Sequence, residues 1–184
     1  RKISDSQVKK YTRQIKKILV AFSTDLKEYY AVLNFLNKAL KETDGYELSL
    51  RAHPTLPLKA ALNFFPTINF MFQEQDSRVP LGNSFFHADV LVYASSTIAV
   101  EALAYGLPII HLKNLDFLDT DPVYSLNDFK WSVGEPQAFK KVLEDISILE
   151  EKEFLRRQER AREYAEQYMR SIDRERLESF LNVT

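Results

Sequence analysis

The chain has 184 residues, 45% of them hydrophobic and 12% aromatic, enough for one sizeable core. Its 25 Lys and Arg nearly balance 26 Asp and Glu, and a net charge of −1 argues against a nucleic-acid-binding surface. The absence of cysteine excludes disulfides, thiolate chemistry and Cys-ligated metals, and no apolar run approaches the length of a membrane span.

The chain starts at Arg1 without a signal-peptide pattern and is expected to be a piece of a longer protein. Its first segment is basic, with Arg1, Lys2, Lys9, Lys10, Arg13 and Lys16 against Asp5. Val8, Tyr11, Ile15 and Ile18 recur at helical spacing. Residues 1–16 are therefore expected to form a basic linker helix packed on its own domain, with a peripheral membrane contact as the alternative. A buried strand is expected over 17–23 and an amphipathic helix over 28–41. A strand over 46–51 ends in Ala52-His53-Pro54, and Pro57 suits the first turn of a helix over 57–65. Next come a strand over 68–72, a helix over 81–87 and a strand over 89–93. A short helix follows Ala94 and stops at Gly106, leading into a strand over 107–112. A loop near 116–124, a strand over 129–133 and a helix over 137–148 complete the alternation. Residues 17–149 thus read as an α/β, Rossmann-like domain, a doubly wound parallel sheet of five or six strands. Residues 150–184 are charged, nearly balanced in sign, and expected to form helices packed on the same domain.

Two strand ends carry the chemistry. In a parallel sheet the turn after each strand lies at the carboxyl edge, where α/β proteins bind anions and nucleotides. One such turn is Ala94-Ser95-Ser96-Thr97. Its hydroxyls can cap the following helix or meet a phosphate. From Ile98 to Leu103 only Glu101 is polar, so this helix is expected to be buried nearly all round. A carboxylate there needs a partner. Glu101 shares a helix face with Thr97, and ribose hydroxyls would satisfy it; a structural Arg is the plainer alternative.

The other turn is Arg51-Ala52-His53-Pro54. Its imidazole can donate to a phosphate oxygen, or as imidazolium neutralise a leaving phosphate. Pro54 keeps the residue before it extended. Arg51 adds a fixed charge, unless strand alternation turns it away. His111 is a lesser candidate late in its strand, and His87 reads as a helix-end surface residue. Asp116, Asp119 and Asp121 fit no calcium loop and read as solvated.

The Arg51-Ala52-His53-Pro54 segment resembles the His-Pro motif of bacterial sialyltransferases, polysialyltransferases and related Kdo and polyol-phosphate transferases. The block Ala-Asp-Val-Leu-Val-Tyr-Ala-Ser-Ser-Thr-Ile-Ala-Val-Glu-Ala-Leu-Ala-Tyr-Gly-Leu-Pro-Ile-Ile resembles their Ser-Ser/Thr motif, and more broadly the nucleotide-binding half of GT-B glycosyltransferases. The resemblance implies the C-terminal, nucleotide-sugar-binding domain of an inverting enzyme with a CMP-activated donor. A glycan or glycolipid acceptor in surface glycan or capsule synthesis follows from it. Carried over by position, His53 faces the phosphate as the catalytic group, while Ser95, Ser96 and Thr97 cradle phosphate or ribose. Glu101 approaches the ribose, and Arg51 and Pro54 complete the donor-binding set. An N-terminal domain of the same protein is expected to hold the acceptor site and general base. No metal or other cofactor is expected, because helix N-termini and His53 supply the positive field. The expected location is the cytoplasm, at the inner face of the membrane.

Tyr93 stands where a retaining enzyme of the Glu-x7-Glu type would carry its first Glu. Gly45, Gly82, Gly106 and Gly134 form neither a GxGxxG nor a Walker A loop. A UDP-sugar transferase or UDP-sugar 2-epimerase on the same scaffold is the first alternative. A flavodoxin-like interaction module without ligand is the second.

Overall fold

The computed structural model describes residues 3–41, 45–63, 67–115 and 120–170. Its strands are β1 (Lys17–Ala21), β2 (Glu47–Arg51), β3 (Phe72–Gln75), β4 (Val90–Tyr93), β5 (Ile109–Leu112) and β6 (Lys130–Val133). Its helices are α1 (Leu26–Ala39), α2 (Leu58–Leu62), α3 (Leu81–His87), α4 (Ile98–Ala104), α5 (Phe139–Ser147) and α6 (Glu151–Tyr168). The strands form one sheet in the order β3-β2-β1-β4-β5-β6, and every pairing is parallel. The chain winds outward from β1 to β3, then returns to place β4 beside β1. That reversal opens a crevice at the carboxyl ends of β1 and β4, the usual ligand position in such sheets.

Strand alternation explains why both faces are covered. Ile18 and Val20 face one core with Val32, Leu36, Phe139 and Leu143 from α1 and α5. Leu19 and Ala21 face the other with Val100, Leu103, Phe154 and Ala161 from α4 and α6. Each fully buried Val, Leu or Ile side chain contributes roughly 1.5–3 kcal/mol. Continuous apolar strands such as Val90–Tyr93 are what a two-faced parallel sheet requires.

Three elements of the fold depart from the sequence reading. Residues 3–16 hold no α-helix, only a 3-10 turn at Asp5–Gln7. The rest is an extended strap bound by tertiary contacts. The Lys9 N–H donates to the Tyr105 carbonyl at 2.8 Å, and the Tyr11 hydroxyl donates to the Leu149 carbonyl at 2.7 Å. The Gln158 side-chain amide donates to the carbonyls of Lys9 and Gly106, both at 2.8 Å. Gly106, at φ 70°, must be glycine: a Cβ there would stand 2.6 Å from the Gln158 nitrogen.

The third strand is also displaced. The apolar run predicts 68–72, but pairing with β2 starts at Leu48 and Phe72 and uses the polar residues that follow. Phe70 enters the core ahead of the strand. A polar edge strand is a common defence against unwanted pairing. Helix α1 starts earlier than expected, because Asp25 caps it by accepting the Lys27 N–H at 2.9 Å. Residues 64 and 65 of the expected 57–65 helix, residues 171–184 of the expected C-terminal helices, and Asp116 and Asp119 of the acidic loop lie outside the described residues.

Candidate functional site

His53 follows β2, and Ser96 and Thr97 follow β4, so the two motifs flank the end of β1 rather than sitting on adjacent strands. They still converge. His53, Ser96, Thr97 and Glu101 line one cleft of about 190 Å³, with Arg51 and Pro54 on its wall. Glu101 also borders a cavity of about 750 Å³ that includes Asn83, Phe86 and Tyr105.

The His53 ring is oriented by its own turn. The Thr55 N–H donates to Nδ1 at 3.3 Å, and the Thr55 hydroxyl lies 2.8 Å from the same nitrogen. An N–H can only donate, so Nδ1 is the acceptor and the neutral ring carries its proton on Nε2. The turn itself is fixed by Tyr29, which is fully buried in α1. Its hydroxyl accepts the His53 N–H at 2.8 Å and donates to the Leu56 carbonyl at 2.7 Å. Burial raises the Tyr29 phenol above its ordinary range, partly offset by the hydrogen bond from the His53 backbone.

Arg51 is buried and committed to the protein. Its guanidinium donates to the carbonyls of Ser77 and Val79 at 2.8 and 2.7 Å, and to the Ser84 hydroxyl at 3.0 Å. It therefore shapes the loop before α3. Burial lowers its pKa, while the charges of Asp76 and Glu101 work the other way.

Glu101 corrects one expectation: helix α4 is not buried all round. Ala99, Val100, Ala102, Leu103 and Ala104 are buried, whereas Glu101 is exposed. No direct ion pair to Arg51 is needed to hold it. Lost hydration against the cleft wall still raises its carboxyl above the ordinary value, and the Arg51 charge partly opposes that shift. Helix α4 has 7 residues, so its dipole is small and side chains must supply most of the site's polarity.

No family model matches the sequence, and no curated protein does either. Solved structures do match the fold. The wall teichoic acid polymerase TagF, soaked with CDPG, aligns over 96% of this chain and 42% of its own, with TM-score 0.50 and 17% identity. A glycosyltransferase from Rickettsia africae ESF-5 aligns over 82% and 42%, with TM-score 0.54 and 19% identity. The UDP-GlcNAc 2-epimerase of Methanocaldococcus jannaschii, in complex with UDP-GlcNAc and UDP, aligns over 74% and 40%, with TM-score 0.53 and 13% identity. This is the Rossmann-like fold of GT-B glycosyltransferases. The chain spans about two fifths of the length of each of these three proteins.

Within this GT-B-type fold, a second polar cluster stands at the carboxyl ends of β4 and β5. Asp121 accepts from the Tyr93 hydroxyl at 2.8 Å, the Val123 N–H at 2.9 Å and Lys130 Nζ at 2.8 Å. His111 Nδ1 lies 3.8 Å from the same carboxylate. Burial pushes Asp121 up, but the Lys130 ammonium and the other donors outweigh it and hold the carboxyl below its ordinary value. The acidic loop is thus tied down at Asp121 rather than solvated there. Tyr93 anchors this cluster, which accounts for an aromatic where a Glu-x7-Glu enzyme has its acid. His87 sits at the C-terminal end of α3, away from the His53 cleft.

Sequence reasoning passed over Glu28. It is fully buried in the first turn of α1 and accepts from the Ser23 N–H at 2.9 Å and the Ser23 hydroxyl at 2.5 Å. It also accepts from the Ser95 hydroxyl. The available signal was Asp25-x-x-Glu28, the spacing of a capping pair at a helix start. Among the described residues, no group of three or more His, Asp or Glu is arranged to hold a metal ion, and no helix is long and apolar enough to cross a membrane.

Proposed function

We propose that this chain is the donor-binding half of an inverting glycosyltransferase that takes a CMP-activated sugar. The observation that carries the reading is the shared cleft of His53, Ser96, Thr97 and Glu101 at the topological switch point. A volume of about 190 Å³ suits a phosphate and part of a ribose, not a whole nucleotide sugar. Glu101 borders the larger cavity as well, so a nucleotide can extend past it.

In this scheme Ser96 and Thr97 donate to phosphate oxygens, and Glu101 accepts from ribose hydroxyls. His53 presents its Nε2 proton to the phosphate as negative charge grows on it during departure of the sugar. Such a contact strengthens in the transition state and lowers the barrier rather than only tightening ground-state binding. The acceptor, a glycan or glycolipid at the cytoplasmic face of the membrane, would be held by a further domain.

The cytidine preference draws support from the fold shared with TagF in its CDPG-soaked form. The second reading, a uridine-nucleotide enzyme, draws support from the epimerase structure that holds UDP-GlcNAc and UDP. Calorimetry with CMP, CDP, UMP, UDP, ATP and NAD separates them. The expected order is CMP or CDP first, with ATP and NAD weak, because no dinucleotide fingerprint is present. Equal or tighter UDP binding favours the second reading. Flat responses to all pyrimidine nucleotides sink both.

A further inference from the structure

A fully buried carboxylate is costly unless charge-assisted hydrogen bonds surround it. Glu28 meets that condition by gathering donors from two loops distant in sequence. Ser23, in the loop between β1 and α1, supplies its N–H and its hydroxyl. Ser95, in the turn between β4 and α4, supplies its hydroxyl. A serine hydroxyl has one proton. While Ser95 gives that proton to Glu28, it has none for a phosphate oxygen. Ser96 and Thr97 line the cleft, and Ser95 does not.

We infer that Glu28 is a positioning residue. It consumes the Ser95 proton, clamps the β4–α4 turn onto the β1–α1 loop, and leaves Ser96 and Thr97 as the hydroxyls that meet a phosphate. The inference rests on the nucleotide reading above for its ligand. It reassigns Ser95, placed by sequence in the phosphate cradle, to the support behind it. Glu28→Gln weakens the clamp: the charge is gone, and a carboxamide nitrogen facing the two hydroxyls can only donate to them, so their charge-assisted bonds are lost.

Two measurements on the intact chain test this. The first is the amide NMR spectrum without ligand. Glu28→Gln should shift the amides of Ser96 and Thr97, and Ser95→Ala should shift those of Ser23 and Glu28. The second is CMP affinity per folded molecule. Glu28→Gln and Ser95→Ala should each weaken CMP about tenfold, the scale of one charge-assisted hydrogen bond. The double variant should be no weaker than the weaker single, and Ser96→Ala should cost less in the Glu28→Gln chain than in wild type, because the clamp acts through that hydroxyl.

Additive losses from Glu28→Gln and Ser95→Ala overturn the clamp, as does a lowered melting temperature with unchanged CMP affinity. Amides of residues 95–97 that ignore Glu28→Gln overturn it too. Should Glu28→Gln fail to fold, Ser95→Ala carries both readouts alone: unshifted Ser23 and Glu28 amides, or full CMP affinity, refute the role. A wild-type chain that binds no pyrimidine nucleotide refutes the nucleotide reading, and the amide shifts then decide the clamp by themselves.

Discussion

Glu101 lies on the open side of α4, yet the cleft wall holds its carboxyl above the ordinary 4.5. Between that value and the raised one, the folded chain binds more protons than the unfolded chain. Stability therefore falls as pH rises through this window, and the deficit persists at neutral pH. Glu101→Gln removes the titrating group. At pH 7 it should raise the melting temperature slightly, while weakening CMP by about 1–3 kcal/mol, as loss of a charge-assisted hydrogen bond does. Calorimetry and thermal unfolding on one preparation decide it. A lower melting temperature with intact affinity would mark Glu101 as structural. Opposite signs are expected of a residue kept for its ligand at some cost to the fold. His53, Ser96 and Thr97 were legible because each follows a buried strand at one edge of the sheet. Glu28 was not, since a lone acid on an amphipathic helix reads as solvated; only the fold brings Ser95 to it, 67 residues away.

The elements themselves were legible to the extent that burial leaves a periodic trace. Val90–Tyr93 and Ile109–Leu112 are wholly buried strands and read as unbroken apolar runs. Leu81–His87 was found at its observed bounds. The strap misled because Tyr11, Ile15 and Ile18 have helical spacing but separate partners. Tyr11 packs edge-on against Phe154 at 5.3 Å, Ile15 joins the α1 and α5 core, and Ile18 already belongs to β1. Spacing cannot reveal partners that lie far along the chain.

The β5–β6 connection offers an energetic test at this scale. Asp121 and Lys130 are 9% and 7% exposed, so removing one leaves a charge in a poor medium. Lys130→Met should cost about 3–5 kcal/mol in denaturant unfolding at pH 7. In the native chain Asp121 titrates below its unfolded value of 3.8, so its contribution is present above that pH. It is lost as pH falls through the lower folded value. Lys130→Met takes away the strongest force opposing burial, so acidification should destabilise the variant less than wild type. A cost independent of pH would show that Asp121 is held chiefly by Tyr93 and Val123.

At the scale of the molecule, the order β3-β2-β1-β4-β5-β6 decides what the sequence could promise. Alternating strand and helix signals predict a parallel sheet, and right-handed crossovers leave few windings for it. Which cavity takes which part of a ligand depends on loop geometry, and the larger cavity beside the 190 Å³ cleft has no local sequence signature. The strap adds a last consequence. Ile3 and Met169 border the same cavity, so the two ends of the described chain open onto one space. A covalent ring through them would hardly disturb the native state, yet it would forbid the unfolded chain most of its widely separated arrangements. By the logarithmic dependence of closure entropy on loop length, a ring of this size should stabilise by a few kcal/mol, about 4–5 in the ideal case. A flexible crosslinker joining Ile3→Cys to Met169→Cys across that cavity should therefore raise the unfolding temperature above that of the same variant left unlinked. An equal or lower midpoint would mean that the strap leaves its seat before the sheet gives way.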